Sequence, residues 1–359
     1  MMPIIAFLLF YVFALYIITK NEKTQKAILI ITLIVITYLI GSRERWPDEL
    51  VYQIAFDRAP YPWDFNFSVS PFGYVEKGYL LICSIIKVFV NDSVFYLFVM
   101  GGLSMYLLYK NLTKYCTIPL LGLCDYIGRF LLNRDFQQMR SSLVILLVIL
   151  GISLIKKRKL WQYMLLILVC YQFHHMALLG IPLYFMCLLK WKRSHIIWGV
   201  VLAFIASQTL SDSISGVVDS YSEDLQYSVY TIDETNADAK GLLNPMIYFQ
   251  LGILFMFLFM ENELKNMSDY YYIFRTGYFY STLFLILFCN YEALSGRTST
   301  MFATLEMFML PMMAKKLPKL KKYIFLAGCG VVFLYFFYSK YMGAMHMMGQ
   351  DVNLQMISH

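Results

Sequence analysis

Charge is what this chain has least of. Lys, Arg, Asp and Glu make up 15% of its 359 residues, where globular domains carry about 25%. With 59% hydrophobic residues and a mean hydropathy of +0.59, a soluble core cannot absorb the apolar sequence, and the surrounding solvent has to be lipid. The net charge of +7 is spread over short loops, with no basic domain to follow a phosphate backbone, which excludes a nucleic-acid partner. No CxxC pair occurs. Cys83, Cys116, Cys124, Cys170, Cys187, Cys289 and Cys329 lie in or beside apolar runs, as small buried hydrophobes do, with no disulfide framework or thiolate metal site. There is no basic n-region or cleavage site ahead of the first apolar run, which is expected to be a retained helix. No repeat of fixed period and no Pro/Ser-rich linker breaks the chain, so residues 1–359 are expected to form a single polytopic membrane domain.

What is there is a series of apolar runs. An all-α, multi-pass protein of about 12 transmembrane helices follows from their lengths. The candidates are 2–19, 26–42, 92–109, 118–133, 139–155, 160–173, 175–190, 195–211, 245–261, 270–290, 299–314 and 322–340. Basic clusters at 156–159 and 190–193 make the short pair between them a tight hairpin. The positive-inside rule puts 20–25, 110–117, 156–159, 190–194, 262–269 and 315–321 in the cytoplasm. This parity holds if 74–91, with Glu76, Lys77 and Lys87 among apolar residues at near-helical spacing, lies as an interfacial helix within an outer loop spanning 43–91. A thirteenth crossing there would carry Lys110 and Lys114 outside. The other long outer loop, 212–243, is acidic and aromatic, and suits either a lid over sugar rings or a plain solvated connection.

The two sides differ in the kind of base they carry. The inner side is mostly lysine, with Arg158, Arg193 and Arg275. The outer side is mostly arginine: Arg43, Arg45, Arg58, Arg129, Arg134, Arg140 and Arg297. Topogenic signals accept either residue, whereas a site that grips phosphate favours the planar, always-charged guanidinium fork. Arg58 and Arg129 suit headgroup contact by snorkelling; Arg140 and Arg297, at membrane depth, suit function.

Four outer stretches hold the candidate site residues. One runs from "RERWPDELVY" (Arg43, Arg45, Asp48, Tyr52) to Glu76 and Tyr79. The second is "RFLLNRDFQQMR", with Arg129, Arg134, Asp135, Gln138 and Arg140. The third is "FHHMA", with His174 and His175, and the fourth is "GRTSTMF", with Arg297, followed by Glu306. Arg140, His174 and Arg297 are each expected at the N-terminal start of a helix, where free N–H groups and the dipole favour an anion. Tyr52, Tyr79 and Gln138 are candidate sugar contacts. No DxD or HExxH-like set appears on this face, so neither a metal nor any other cofactor is expected.

In order and spacing, Arg43/Arg45–Asp48–Tyr52, Glu76–Gly78–Tyr79, "QMRSSL", "FHHMALLGIPLYF" and "GRTSTMFATLEMFMLP" resemble the EpsG-like family of Wzy-type polysaccharide polymerases, over roughly residues 40 to 311. Ser141 follows Arg140 where the family usually has Gln, and Met176 stands where it usually has Ser. The resemblance implies a GT-C-like polymerase architecture in a bacterial plasma (inner) membrane. It implies undecaprenyl-pyrophosphate-linked repeat units as substrate and the periplasmic or outer face as the place of reaction. It also implies transfer of the growing chain to the non-reducing end of a fresh unit, with a flippase and a chain-length regulator as partners. Under that reading Arg43, Arg45, Arg134, Arg140 and Arg297 grip the pyrophosphate. Asp48 or Glu76, or else His174, takes the acceptor proton, by a single inverting displacement. An O-antigen ligase-like transferase would use the same donor. A lipid-linked sugar flippase would place charge near the midplane and show inverted repeats, neither of which is found.

Overall fold

The structure, a computed structural model, describes residues 2–66, 76–209 and 240–357; there is no strand among the described residues. The helices are α1 (Met2–Ile18), α2 (Glu22–Gly41), α3 (Glu49–Arg58), α4 (Lys77–Phe89), α5 (Ser93–Tyr115), α6 (Pro119–Tyr126), α7 (Leu132–Arg134), α8 (Met139–Leu150), α9 (Ile152–Lys156), α10 (Leu160–Tyr171) and α11 (Gly180–Met186). They continue as α12 (Arg193–Thr209), α13 (Pro245–Phe259), α14 (Glu261–Leu264), α15 (Tyr271–Leu287), α16 (Glu292–Ala303), α17 (Glu306–Lys316) and α18 (Lys319–Ile357). By length and composition, Glu22–Gly41, Ser93–Tyr115, Met139–Lys156 and Lys319–Met348 are long and apolar enough to cross a membrane. Pro3–Ile18, Leu160–Tyr171, His175–Met186 and Pro245–Phe259 are shorter apolar helices.

Local chemistry sets several of these boundaries. Asn21 accepts the Lys23 N–H at 3.0 Å and starts α2; Asp92 accepts the Phe95 N–H at 2.6 Å and starts α5. Capping of this kind satisfies N–H groups that a helix start leaves open. Between α6 and α7, Ile127–Leu131 form a π-turn. Gly128 lies there against Phe333 of α18, where an added Cβ would come 2.8 Å from the Phe333 Cβ.

Three sequence expectations change. The expected helix 299–314 is two helices, α16 and α17, with a break at Thr304 and Leu305. Arg297 therefore lies within α16, where the N–H groups are already used, and not at a helix start. The last expected crossing is one part of α18, whose 39 residues extend about 58 Å at 1.5 Å per residue. Arg129, expected to reach toward headgroups, is buried, its guanidinium carbon 4.5 Å from the Phe336 ring centre and 5.2 Å from that of Phe130.

The 74–91 segment is described from Glu76 onward and contains α4, whose 13 residues cover about 20 Å, short of the ~30 Å a crossing needs. One face, with Tyr79, Leu80, Cys83 and Ile86, joins Tyr52, Phe56, Tyr96, Met139 and Leu143 in a core cluster. Lys87 does not stay in solvent: its Nζ donates to the Asp57 and Ala59 carbonyls at 2.8 and 3.0 Å, satisfying the end of α3. Of the expected acidic loop 212–243, residues up to 239 lie outside the described residues, and Gly241–Leu243 form a single 3-10 turn.

The chain divides into two compact units. The first comprises 1–152, 161–178 and 310–359, the second 153–160 and 179–309. Arg43, Arg45, Asp48, Tyr52, Glu76, Tyr79, Arg134, Gln138, Arg140 and His174 belong to the first, Arg297 to the second.

Candidate functional site

In the first unit, the site begins with a glycine. Gly78, in the first turn of α4, packs so tightly on the end of α10 that an added Cβ would stand 2.6 Å from the Gln172 Cβ and 2.7 Å from its carbonyl oxygen. The Gly78 N–H donates to that same carbonyl at 2.9 Å. A side chain at 78 would hold the two backbones apart. The contact sets Glu76, two residues before, beside the two histidines that follow Gln172.

Glu76 is 7% exposed and precedes α4 as its cap residue. Its Oε2 accepts a hydrogen bond from Arg140 Nη1, and its Oε1 lies 3.8 Å from His175 Nδ1. The side chains of Arg140 and His175 keep about a quarter of their surface open, 25% and 24%. Burial on its own would raise the Glu76 carboxyl, but the His175 imidazole, the Arg140 guanidinium and His174 together outweigh it and hold it below the usual carboxylate range. His174 and His175 lie ring against ring, centroids 4.4 Å apart. The Met176 N–H donates to His174 Nδ1 at 3.2 Å, so a neutral His174 carries its proton on Nε2. His175 turns its Nδ1 toward Glu76, and a neutral His175 with its proton there keeps Nε2 basic.

Arg140 is the second residue of α8. Below it are aromatic rings: its guanidinium carbon is 5.4 Å from the Tyr79 centroid and 6.0 Å from that of Tyr52. Neither tyrosine offers a free face to a sugar. Tyr52 is 6% exposed and Tyr79 only 1%, with its hydroxyl bonded to that of Tyr96. The rings make a rigid floor under the guanidinium.

Arg43 is also turned inward. It is 2% exposed and donates to the Ile40 carbonyl at 3.0 Å and to Met139 Sδ at 3.2 Å. Met139 is the first residue of α8, so Arg43 braces the helix start that carries Arg140 and does not itself face a ligand. Arg134 is buried too, with its guanidinium carbon 4.3 Å from the Phe130 centroid. Next to it Asp135 accepts from Ser142 Oγ at 2.7 Å, Tyr126 Oη at 2.8 Å and the Ser104 hydroxyl. Three hydroxyls around one carboxylate lock the α7–α8 corner, and at 1% exposure Asp135 is turned into the protein. Gln138, half-buried, precedes α8, and its carbonyl accepts from Ser141 Oγ at 2.9 Å. Arg45 and Asp48 are exposed, and both have left-handed backbones, with φ of 55° and 63°. Two such non-glycine residues in one turn, beside "WP", store strain of the kind that clusters at functional turns. In the second unit, Glu306 is fully buried and accepts from Tyr278 Oη at 3.0 Å.

The structure thus joins Glu76, Arg140 and His174, with Tyr52 and Tyr79 beneath. It adds His175, which adjacent histidines in an apolar hairpin did not distinguish from a packing pair. Glu76, His174 and His175 have donor atoms within 4.8 Å of one another, a grouping with the ligand types for a metal ion. Arg140 bonds Glu76 Oε2 and the Met176 N–H bonds His174 Nδ1, so an ion would have to use Glu76 Oε1 and His174 Nε2. The Arg140 guanidinium already places a positive charge against Glu76, which an ion would adjoin.

The model of the EpsG family matches residues 26–355. No curated protein and no solved structure matches the chain.

Proposed function

The chain belongs to the EpsG family, a Wzy-like family of polysaccharide polymerases, and from that premise we propose that it joins undecaprenyl-pyrophosphate-linked repeat units at the outer face of a bacterial plasma membrane. A flippase would deliver the units and a chain-length regulator would act beside it. The observation that carries the reading is a single carboxylate, Glu76, which faces a guanidinium on one oxygen and an imidazole on the other. That arrangement separates an anion grip from a proton acceptor, the two functions a glycan transfer from a lipid pyrophosphate requires.

In this reaction the acceptor sugar's hydroxyl oxygen attacks the anomeric carbon of the donor glycan. The bond from that carbon to the pyrophosphate oxygen breaks, and undecaprenyl pyrophosphate leaves with the electron pair. Arg140, at the start of α8 and on its aromatic floor, neutralises the charge developing on the pyrophosphate. The outward-facing Arg45 and the N–H groups of the helix start add to it. His175 Nε2 receives the hydroxyl proton, and Glu76 orients the imidazole and stabilises the imidazolium. His174, with Nε2 as a donor, hydrogen-bonds phosphate or sugar oxygen. The displacement is single and inverts the anomeric centre. No step calls for a divalent ion.

The test uses purified protein in lipid bilayers, synthetic lipid-pyrophosphate repeat units and excess EDTA. Polymer is expected at an undiminished rate, with the new linkage of opposite anomeric configuration to the donor by NMR. Retention of configuration, or activity lost to EDTA and restored by Mg²⁺ or Mn²⁺, would overturn the mechanism.

A further inference from the structure

A groove of 350 Å³ runs between α2 and α5, lined by Ile30, Ile34 and Thr37 on one side and Gly102, Tyr106 and Tyr109 on the other. Both sets recur every three to four residues, so each is one face of its helix. At one end the helices touch closely. An added Cβ on Gly41 would run into the Phe98 ring, and one on Gly101 would come 2.8 Å from Ile40 Cγ2. At Gly102 the same atom would meet only Thr37 Cγ2, at 3.7 Å. The missing side chain at 102 opens the channel just below the contact. Ile34 and Tyr106 are 63% and 56% exposed, so the groove opens sideways, toward lipid.

Its other end is cationic. Lys110 stacks its Nζ over the ring of Tyr106, 5.3 Å from the centroid. On α2, Lys26 lies one helical turn before Ile30 and is exposed, with Lys23 a further turn out and Glu22 the one acid beside them. This is the basic-loop side of both helices. An apolar slot open to lipid, with the exposed Lys26 on one helix and Lys110 on the other beyond its end, matches an acyl chain and the phosphate above it.

We propose that this groove binds an anionic phospholipid of the basic-loop leaflet, its acyl chain between α2 and α5 and its phosphate on Lys26 and Lys110. The site is separate from the Glu76 cluster, and its occupant is not the glycan carrier. Juxtamembrane lysines contribute to anionic-lipid binding in proportion to their number, so removing both is expected to weaken it roughly 30-fold.

The experiment uses the full-length protein in phosphatidylcholine bilayers, with photoactivatable acyl-chain probes of phosphatidylglycerol, phosphatidylcholine or a polyprenyl phosphate, and cross-linked peptides mapped by mass spectrometry. Phosphatidylglycerol is expected to label the 26–41 and 99–114 segments in strong preference to phosphatidylcholine. Lys26→Gln with Lys110→Gln should bring it to the phosphatidylcholine level. Gly102→Leu, with both lysines intact and thermal unfolding unchanged, should block labelling by filling the slot. Ser93→Ala, at the far end of α5, is the control for an altered but unblocked helix and should label normally. Equal labelling by the two phospholipids, no effect of the lysine pair, or stronger labelling by the polyprenyl phosphate would each overturn the proposal.

Discussion

Each unit contains a glutamate held by arginine, and the two clusters are built differently. In the second unit, Glu261 Oε2 accepts from Arg193 Nε at 2.9 Å and from Arg275 Nη1 at 3.2 Å, while Tyr272 Oη reaches Oε1 at 3.4 Å. Arg275, 2% exposed, donates to the Trp191 carbonyl at 2.6 Å as well. Two fixed cations and a phenol surround that carboxylate, and none of these partners is an imidazole. In the first unit, Glu76 has one fixed cation, Arg140, and two imidazoles. A carboxylate shared between two arginines is a clamp. A carboxylate shared between an arginine and a histidine leaves one group able to exchange protons and another able to turn toward a second anion.

The largest effect that would sharpen this contrast is on catalysis. Arg140→Lys is expected to lower polymer formation by roughly 10²–10³, because a point charge cannot replace two parallel donors on the leaving group. Arg275→Lys should leave turnover per folded molecule unchanged. Full activity in the Arg140→Lys protein, at normal membrane level, would remove the distinction.

Somewhat smaller is the expected effect at the proton acceptor. His175→Asn should cost about 10²-fold in rate and abolish the rise of kcat/KM with pH that protonation of a general base imposes. His174→Asn should raise KM more than it lowers kcat. The reverse pattern would exchange their roles.

In stability the order inverts. Arg275→Ala should destabilise the protein by about 3 kcal/mol, the low end for breaking a buried pair because Arg193 remains, and the measurement is thermal unfolding in detergent. Glu76→Gln should destabilise less, and in a pH-dependent way. The Glu76 carboxyl is held below its ordinary value by its neighbours, so the stability it adds is complete above about pH 4.3 and is lost as pH falls through the lower, folded value. The difference between wild type and Glu76→Gln should shrink as pH falls below about 4.3; growth in that range would show the carboxyl to be raised instead. The smallest effect is Arg58→Lys, at the exposed end of α3, expected to leave both rate and stability unaltered.

Much of this was legible in the sequence, and the limits of that reading are physical. Apolar runs and basic loops located the helices well enough to find α2, α5 and α10, because hydropathy is a sum over many residues. The break at Thr304 was hidden, since "TSTMFATLEMF" is apolar or small apart from Glu306 and contains no Pro or Gly. Glu76, Arg140 and His174 stood out as charge or imidazole in apolar surroundings, and the structure gathers them. What the pattern could not give was direction. Arg43 and Arg45 are two residues apart in one stretch, yet the first points into the protein at Met139 and the second out. The Asp135 network joins Ser104, Tyr126 and Ser142 from three helices, and no local spacing announces it. The Arg275–Glu261 pair lay in segments whose basic residues already had a topological explanation.

The contact at Gly78 has a further consequence, for which changes the chain can accept. It works as a ruler: two short lengths, Glu76 to Gly78 and Gln172 to His175, are measured from one point where two backbones touch. Adding a single residue to either length would carry the carboxylate or the imidazoles past each other and leave both helices intact. The long run of helices between Gly78 and Gln172 has its ends pinned at that point, and within it the start of α8 has to return Arg140 to Glu76. A one-residue insertion after Gln172 is therefore a way to make a protein that reaches the membrane, folds, and has no working centre.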